Sequence, residues 1–426
     1  MSGTLAPFRL TGSDLPDPYS VYRRYRQADP VHLTSGAWHL FRHEDVSRAL
    51  TDRRLGRSAA TAHEGGSPPP PRIPGDFPHL TRTVANWMVF LDPPRHTRIR
   101  ALVVKAFTPK VVEGLRPRIR ALAADLANEL TAALHRDGSV DLVDAFAAPL
   151  PIQVISELLG VPRELRTWFR ARAVGLQQAT STRTGRAADA YAVADRAARE
   201  LDEYFRSELA ARRGTGRANG ERDLIAGMMA ADDDGEQPPL SDDELAGTFV
   251  HLLTAGHETT TNLLAKGLLA LLRHPDQLAL LRARPELMPG AAEELIRYDS
   301  PVQTVSRWAY ADVGFGSRTV RRGDRVVLVL GSANRDPERF TAPDRLDLTR
   351  DARRHCGFGL GIHYCLGAAL ARAEAETALA ELLRVLPEST AVDQPVRYAE
   401  DLVFHGPSSL VLRAGSQAAR ISHLSR

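Results

Sequence analysis

Phe358-Gly359-Leu360-Gly361-Ile362-His363-Tyr364-Cys365-Leu366-Gly367 is the stretch whose reading decides the fold. Two glycines ahead of the cysteine set a tight turn. The cysteine then opens a run rich in Ala, Leu, Arg and Glu, Leu366 to about Leu386, which is predicted to be helical. A thiol at a helix N-terminus meets unpaired N–H groups and the positive end of the helix dipole, and both favour thiolate. Gly359, Gly361 and Gly367 carry no Cβ, so the backbone there can take unusual φ or lie flat against a bulky planar group. A thiolate on a glycine platform suits axial ligation of haem iron. Two other readings stand beside this one. A lone cysteine is commonly a small buried hydrophobe. His355, Cys356, His363 and Cys365 also offer a zinc-ligand set. However, Cys356 directly follows His355, whereas zinc sites space their ligand pairs, and zinc gives the glycines no purpose.

Every fixed position of the pattern Phe-Gly-x-Gly-x-His-x-Cys-x-Gly is filled, and in this the stretch resembles the haem-ligand signature of the cytochrome P450 family. Glu294-Leu295-Ile296-Arg297 is similar to the family's Glu-x-x-Arg pair, and Ala255-Gly256-His257-Glu258-Thr259-Thr260 to its oxygen-binding helix. Asp92 to Arg100 resembles a haem-contacting segment of the bacterial members, and the matches occur in the family's order. The likeness runs from about Asp17 to Leu412. It implies a mainly α fold with small β-sheets, a long central helix over a haem, and one domain over residues 1–426.

The totals agree with a large core. Of 426 residues, 43% are hydrophobic and 25% charged, as in ordinary globular proteins. A net charge of +3 gives no case for nucleic-acid binding. Two cysteines exclude a disulfide framework. Met1 to Leu10 has neither signal-peptide nor membrane-anchor character, so a soluble, bacterial-type, cytoplasmic protein is expected.

Along the chain, a helix is predicted over Tyr19–Ala28, a hairpin around Ser35-Gly36, and a helix over about His43–Asp52. Residues 56–89 hold Gly65-Gly66 and the Pro68–Pro71 run. They read as a long irregular loop, which the resemblance makes a flexible roof over the substrate. Thr182–Arg213 is either a solvated surface helix pair or, by resemblance, a movable lid. Ser241-Asp242-Asp243-Glu244 is a capping box that opens the longest helix, ended near Arg273 by Pro275. Gly256 and the Thr259-Thr260-Thr261 run are poor helix formers. A threonine hydroxyl bonded one turn back would open a notch in that helix. Strands are expected at Val302–Val305, Arg325–Leu330, Leu402–Phe404 and Leu410–Leu412, with a frayed end over 415–426.

The resemblance also assigns roles. Cys365 becomes the axial ligand of haem b. His96, Arg100, Arg307 and His363, with His355 as a weaker candidate, face the haem propionates, which suits bidentate arginine. Phe358, Gly359, Gly361, Gly367, Ala255 and Gly256 contact the cofactor. Glu258 and Thr259 form an acid–alcohol pair that delivers protons to bound O2. Glu294, Arg297 and Arg350 form a structural triad. Trp87, Met88, Val89, Phe249, Val250, Val302, Val305 and Phe404 line an apolar substrate pocket. The implied activity is O2-dependent hydroxylation, or oxidative coupling, of a medium-sized hydrophobic natural product. No dinucleotide fingerprint or iron–sulfur cysteine cluster is present, so the two electrons are expected from a separate ferredoxin and its NAD(P)H reductase. Arg98, Lys105, Lys110, Arg353, Arg354 and Arg372 are candidates for the docking face. The rival functions are a haem-binding sensor or carrier without turnover, and a zinc-stabilised helical interaction protein.

Overall fold

The computed structural model describes residues 5–70, 73–180, 187–215, 223–233, 239–401 and 403–414. Near the N-terminus, α1 (Tyr19–Ala28) precedes a hairpin of β1 (Val31–Thr34) and β2 (Ala37–Leu40), then α2 (His43–Thr51), as expected. Ser35 and Gly36 both take positive φ at the hairpin turn. Residues 56–89 are more regular than expected. After β3 (Leu55–Gly56), short helices occupy Ala59–Ala62 and Pro78–Val84, and a 3-10 turn covers Met88–Phe90. Ser58 caps the first of these helices, and Pro78 at the start of the second needs no N–H partner.

The helical body follows: α3 (Arg95–Ala106), α4 (Pro109–Asp137), α5 (Pro149–Leu158), α6 (Arg166–Thr180), α7 (Ala190–Thr215), α8 (Asp242–Arg273), α9 (Met288–Tyr298) and α10 (Ala368–Val385). The capping box of α8 is closed in both directions, Glu244 N–H to Ser241 Oγ and Ser241 N–H to Glu244 carboxylate. At 32 residues α8 is about 48 Å long. It is buried on nearly every face and packs against α5, α7, α9 and α10. The described part of Thr182–Arg213 lies, from Ala190 on, in one helix, α7, rather than a pair. It buries Ala194, Ala198, Leu201, Phe205 and Leu209 on one face and leaves Arg196, Glu203 and Ser207 exposed on another. Residues 181–186 and 415–426, which include the expected frayed end, lie outside the described residues.

β4 (Thr304–Ala309) and β5 (Arg325–Val329) complete a five-stranded sheet in the order β1-β2-β5-β4-β3. β2 and β5 pair in parallel and the other neighbours are antiparallel. Three expected strands are displaced. The one expected at Val302–Val305 starts late, β4 beginning only at Thr304. Phe404 makes only an isolated bridge to Val302, because Asp401 Oδ1 takes the N–H groups of Val403 and Phe404. Leu402 itself is outside the described residues. The C-terminal strands are Pro407–Ser409 and Val411–Arg413. Leu410 between them gives its N–H to Asp141, which breaks the run.

Candidate active site

The cysteine turn is held by its own backbone. Cys365 N–H donates to the Phe358 carbonyl (2.8 Å) and Gly359 N–H to that of Cys356 (2.9 Å). Gly359 and Gly361 have φ of +67° and +69°, so both need glycine. They differ in what they face. A Cβ on Gly361 would strike the Leu50 carbonyl at 2.8 Å, so Gly361 docks the turn on α2 and is not on the cavity wall. The missing side chain of Gly367 faces open space. α10 is assigned from Ala368, with Gly367 as its cap, so Cys365 stands just ahead of the helix rather than inside it. Burial pushes the Cys365 thiol up. The Gly367 backbone, Arg100 and Arg372 oppose that shift but do not reverse it.

Cys365 opens on a cavity of about 410 Å³, within the usual range for a small-molecule site. Phe358, Gly359, His363 and Gly367 line it from the turn. His96 and Arg100 come from α3, and Arg307 from β4. Arg100 also ties down the turn by donating to the Tyr364 carbonyl at 2.7 Å. The basic groups crowd one another. The His96 and His363 rings are 4.4 Å apart, and both His96 nitrogens and His363 Nε2 are buried without a hydrogen-bond partner. Burial, then Arg307, His96 and other cations, hold His363 down to about 2, and burial holds Arg307 down to about 10. Orphaned buried donors beside arginines call for anionic oxygen acceptors. A planar group bearing two carboxylates, with a metal for the thiol and no side chain at Gly367 to obstruct it, fits these residues.

Ala255, Gly256, Thr259 and Thr260 of α8 line the same cavity. The Thr259 hydroxyl donates to the Ala255 carbonyl (2.9 Å), the bond expected of a notch, yet α8 runs on as uninterrupted α-helix. Glu258 is buried but is not on the cavity wall. Trp87, Met88, Val89, Val302, Val305 and Phe404 are on the wall as expected, but Phe249 and Val250 are not. The helical phase explains this. Phe249 turns to Phe205 of α7, while His251, Leu252 and Ala255 carry the cavity-facing stripe.

Below the cavity, the expected triad is formed. Glu294 takes two hydrogen bonds from Arg297 (2.6 and 2.8 Å) and one from Arg350 (3.2 Å). Arg297 also donates to the Asn334 and Pro343 carbonyls, so the buried pair pins the loop that leads to the cysteine turn. His355 faces away from the basic cluster and sits 3.2 Å from Glu293. Burial alone would raise Glu293, but His355 and Arg372 outweigh it and hold the carboxyl down to about 2. The zinc reading is overturned. Cys356 is buried against Ser47, and among the described residues no three His, Cys, Asp or Glu converge on a metal. The basic docking set is also thinned, because Arg98 is bonded to Glu244, Arg372 to Glu293 and Arg353 to Asp351.

The sequence reading missed two cavity groups. Glu374 lies on the apolar face of α10 with Leu370 and Thr377, and burial raises its carboxyl well above the usual range. The signal was a carboxyl at helical spacing from apolar residues. His251 lies one turn before Ala255 and lines the cavity.

These features define a helical enzyme with an internal, mainly apolar reaction chamber, closed by a thiol turn on one side and a threonine-bearing helix on another. The cytochrome P450 family profile matches residues 75–284 and 282–404. The chain is 40% identical over 410 residues to cytochrome P450 107B1 of Saccharopolyspora erythraea, covering 94% of this chain and 96% of that one. It is 38% identical to the vitamin D(3) 25-hydroxylase of Pseudonocardia autotrophica, covering 98% and 99%. The solved structure of PksS, the cytochrome P450 of the Bacillus subtilis bacillaene polyketide synthase, superposes with a TM-score of 0.82 at 33% identity over 95% of this chain and 99% of that one. The chain belongs to the cytochrome P450 family. It is an oxidoreductase of the monooxygenase class, with a haem-thiolate iron cofactor, O2 as co-substrate, redox partners and a hydrophobic substrate. No described helix is long and apolar enough to cross a membrane.

Proposed function

We propose that Cys365 is the axial ligand of haem b, with His96, Arg100, Arg307 and His363 holding its propionates and Ala255, Gly256 and Thr259 facing it from α8. The observation that carries this is the meeting, in one cavity, of the cysteine turn, the threonine-bearing helix and a basic cluster in which both His96 nitrogens and His363 Nε2 are buried without partners. Haem-thiolate iron supplies O2 activation, so that a substrate C–H, O2, two electrons and two protons give an alcohol and water. The chain does the rest. Trp87, Met88, Val302, Val305 and Phe404 hold the substrate out of water. The Thr259 hydroxyl, donating its hydrogen bond to the Ala255 carbonyl, is left to accept one from a proton donor in the cavity and so to position it, while Glu258 would be the carboxyl that supplies the protons. The names of PksS and the vitamin D(3) hydroxylase support a polyketide or secosteroid-like natural product, and hydroxylation is the outcome we assign. The electrons come from a ferredoxin and its NAD(P)H reductase in the cytoplasm. Exposed Lys110 and Arg354 offer docking charge for that partner, so turnover at limiting ferredoxin should slow with added salt. Residues 1–426 act as one domain, a reading supported by matches to relatives over nearly the whole length.

The test is the spectrum of the reduced, carbon-monoxide-bound protein. A red-shifted thiolate-type Soret band is expected, and Cys365→Ala should abolish it. A colourless preparation after growth with haem precursor, or a band that survives the substitution, rejects the assignment.

A further inference from the structure

The cavity wall is almost entirely apolar away from the basic cluster, and most polar groups there are already used. Gln177 donates to the Thr254 carbonyl, Thr180 to that of Leu176, and Thr254 to that of Val250. Three side chains are exceptions, and one of them, Glu374 with its unpartnered Oε2, lies apart on α10. Trp87 Nε1 and His251 Nδ1 are both buried with no hydrogen-bond partner. Both residues are more than nine-tenths buried and both line the cavity. Their rings stack, with centroids 5.3 Å apart and planes 18° from parallel. His251 precedes Thr259 by eight residues, so the pair sits roughly 12 Å along the helix axis from that hydroxyl.

Orphaned buried polar atoms are uncommon and costly, and a ligand is one of the ways they are satisfied. We propose that stacked Trp87 and His251 form a recognition subsite for a neutral oxygen, a ketone or hydroxyl, on an otherwise apolar substrate. The chemistry selects this class. An indole N–H only donates, so the ligand atom it meets must accept. Burial holds His251 down to about 4, so near neutral pH the ring is uncharged, with one nitrogen donating and one accepting. Among the described residues the one carboxyl on the cavity wall is Glu374 of α10, whose burial raises it well above the usual carboxylate range and so disfavours its charged form. The subsite would fix the end of the substrate remote from the reacting carbon and so choose which carbon is presented.

This inference rests on the haem-thiolate reading, and the experiment separates the two. A reduced sample of the holoprotein is first checked for the thiolate-type carbon-monoxide spectrum, and the protein is kept in its ferric form for binding. It is then titrated with cyclododecanone and with cyclododecane, following the Soret band, with competition between the two ligands where only one shifts it. The native protein should favour the ketone by about tenfold, the effect of one good hydrogen bond. His251→Phe and Trp87→Phe keep an aromatic ring in the stack and should each reduce that preference, read as the ratio of the two affinities in the same variant, several-fold. Equal affinities in the native protein, no measurable binding of the ketone, or a preference untouched in both variants overturns the subsite while leaving the haem assignment standing. Absence of the thiolate spectrum overturns both.

Discussion

At the scale of single residues, the back-bond of Thr259 is not what sets it apart. Thr248, Thr254 and Thr261 of the same helix make the same bond to a carbonyl one turn back. Thr259 differs in facing the cavity that holds Cys365. Thr259→Ala is therefore expected to keep the haem-thiolate spectrum and divert reducing equivalents to peroxide. Product formed per NAD(P)H oxidised should fall at least about tenfold, measured alongside peroxide release. Unchanged coupling would remove Thr259 from proton delivery. Cys365 and Thr259 were legible in the sequence through motifs that resemble the family's, and Trp87 through the same resemblance. His251 and Glu374 were not, since a lone polar residue in a helical run does not announce which face it occupies.

At the scale of elements, two buried ionic devices hold the walls of the chamber. In the first, Arg297 and Glu294 are fully buried, and Arg350 closes the pair from its edge. Glu294→Ala leaves the Arg297 charge uncompensated and should cost about 3–5 kcal/mol in denaturant unfolding. Arg350→Ala, which keeps the central pair, should cost far less, and equal losses would deny the pair its central place. The second device is Lys266, buried in α8 and bonded to Asp299, the Ser300 carbonyl and His405. Those partners flank Pro301, Val302 and Phe404 on the cavity wall. Lys266→Met should weaken the Soret response to cyclododecanone even though every lining residue is unchanged. A response equal to the native protein's would show that the lysine serves stability alone.

At the scale of the whole molecule, burial of neutral histidines sets an acid limit. His39, His251, His257 and His405 are each held down to about 4, with desolvation as the largest cause. Unfolded histidine titrates near its ordinary value of 6.5, so between pH 6.5 and about 4 the unfolded chain binds protons that the folded chain refuses. Their contribution to stability is thus present above pH 6.5 and is lost as pH falls through that window. Unfolding near pH 5 should take up as many as about four protons, seen as a falling midpoint in thermal scans from pH 7 to 5. A midpoint flat over that range would show that these rings are hydrated in the folded protein.

The sequence by itself determined the order of the elements and the family. Caps, turns and the spacing of Gly, Cys, Glu and Arg are local, and local chemistry fixes where helices start and where a chain reverses. The closed capping box at Ser241 and the Glu294–Arg297–Arg350 triad both came out as read. Only the tertiary structure decided which atoms share the cavity. Helical phase put His251 on the wall in place of Phe249, and an aspartate in a turn took the N–H groups that would have extended the Phe404 strand. Burial raised the Cys365 thiol against the pull of the Gly367 backbone, Arg100 and Arg372. Each of these depends on the side chains and solvent that surround a group after folding, a quantity that no single stretch of sequence contains.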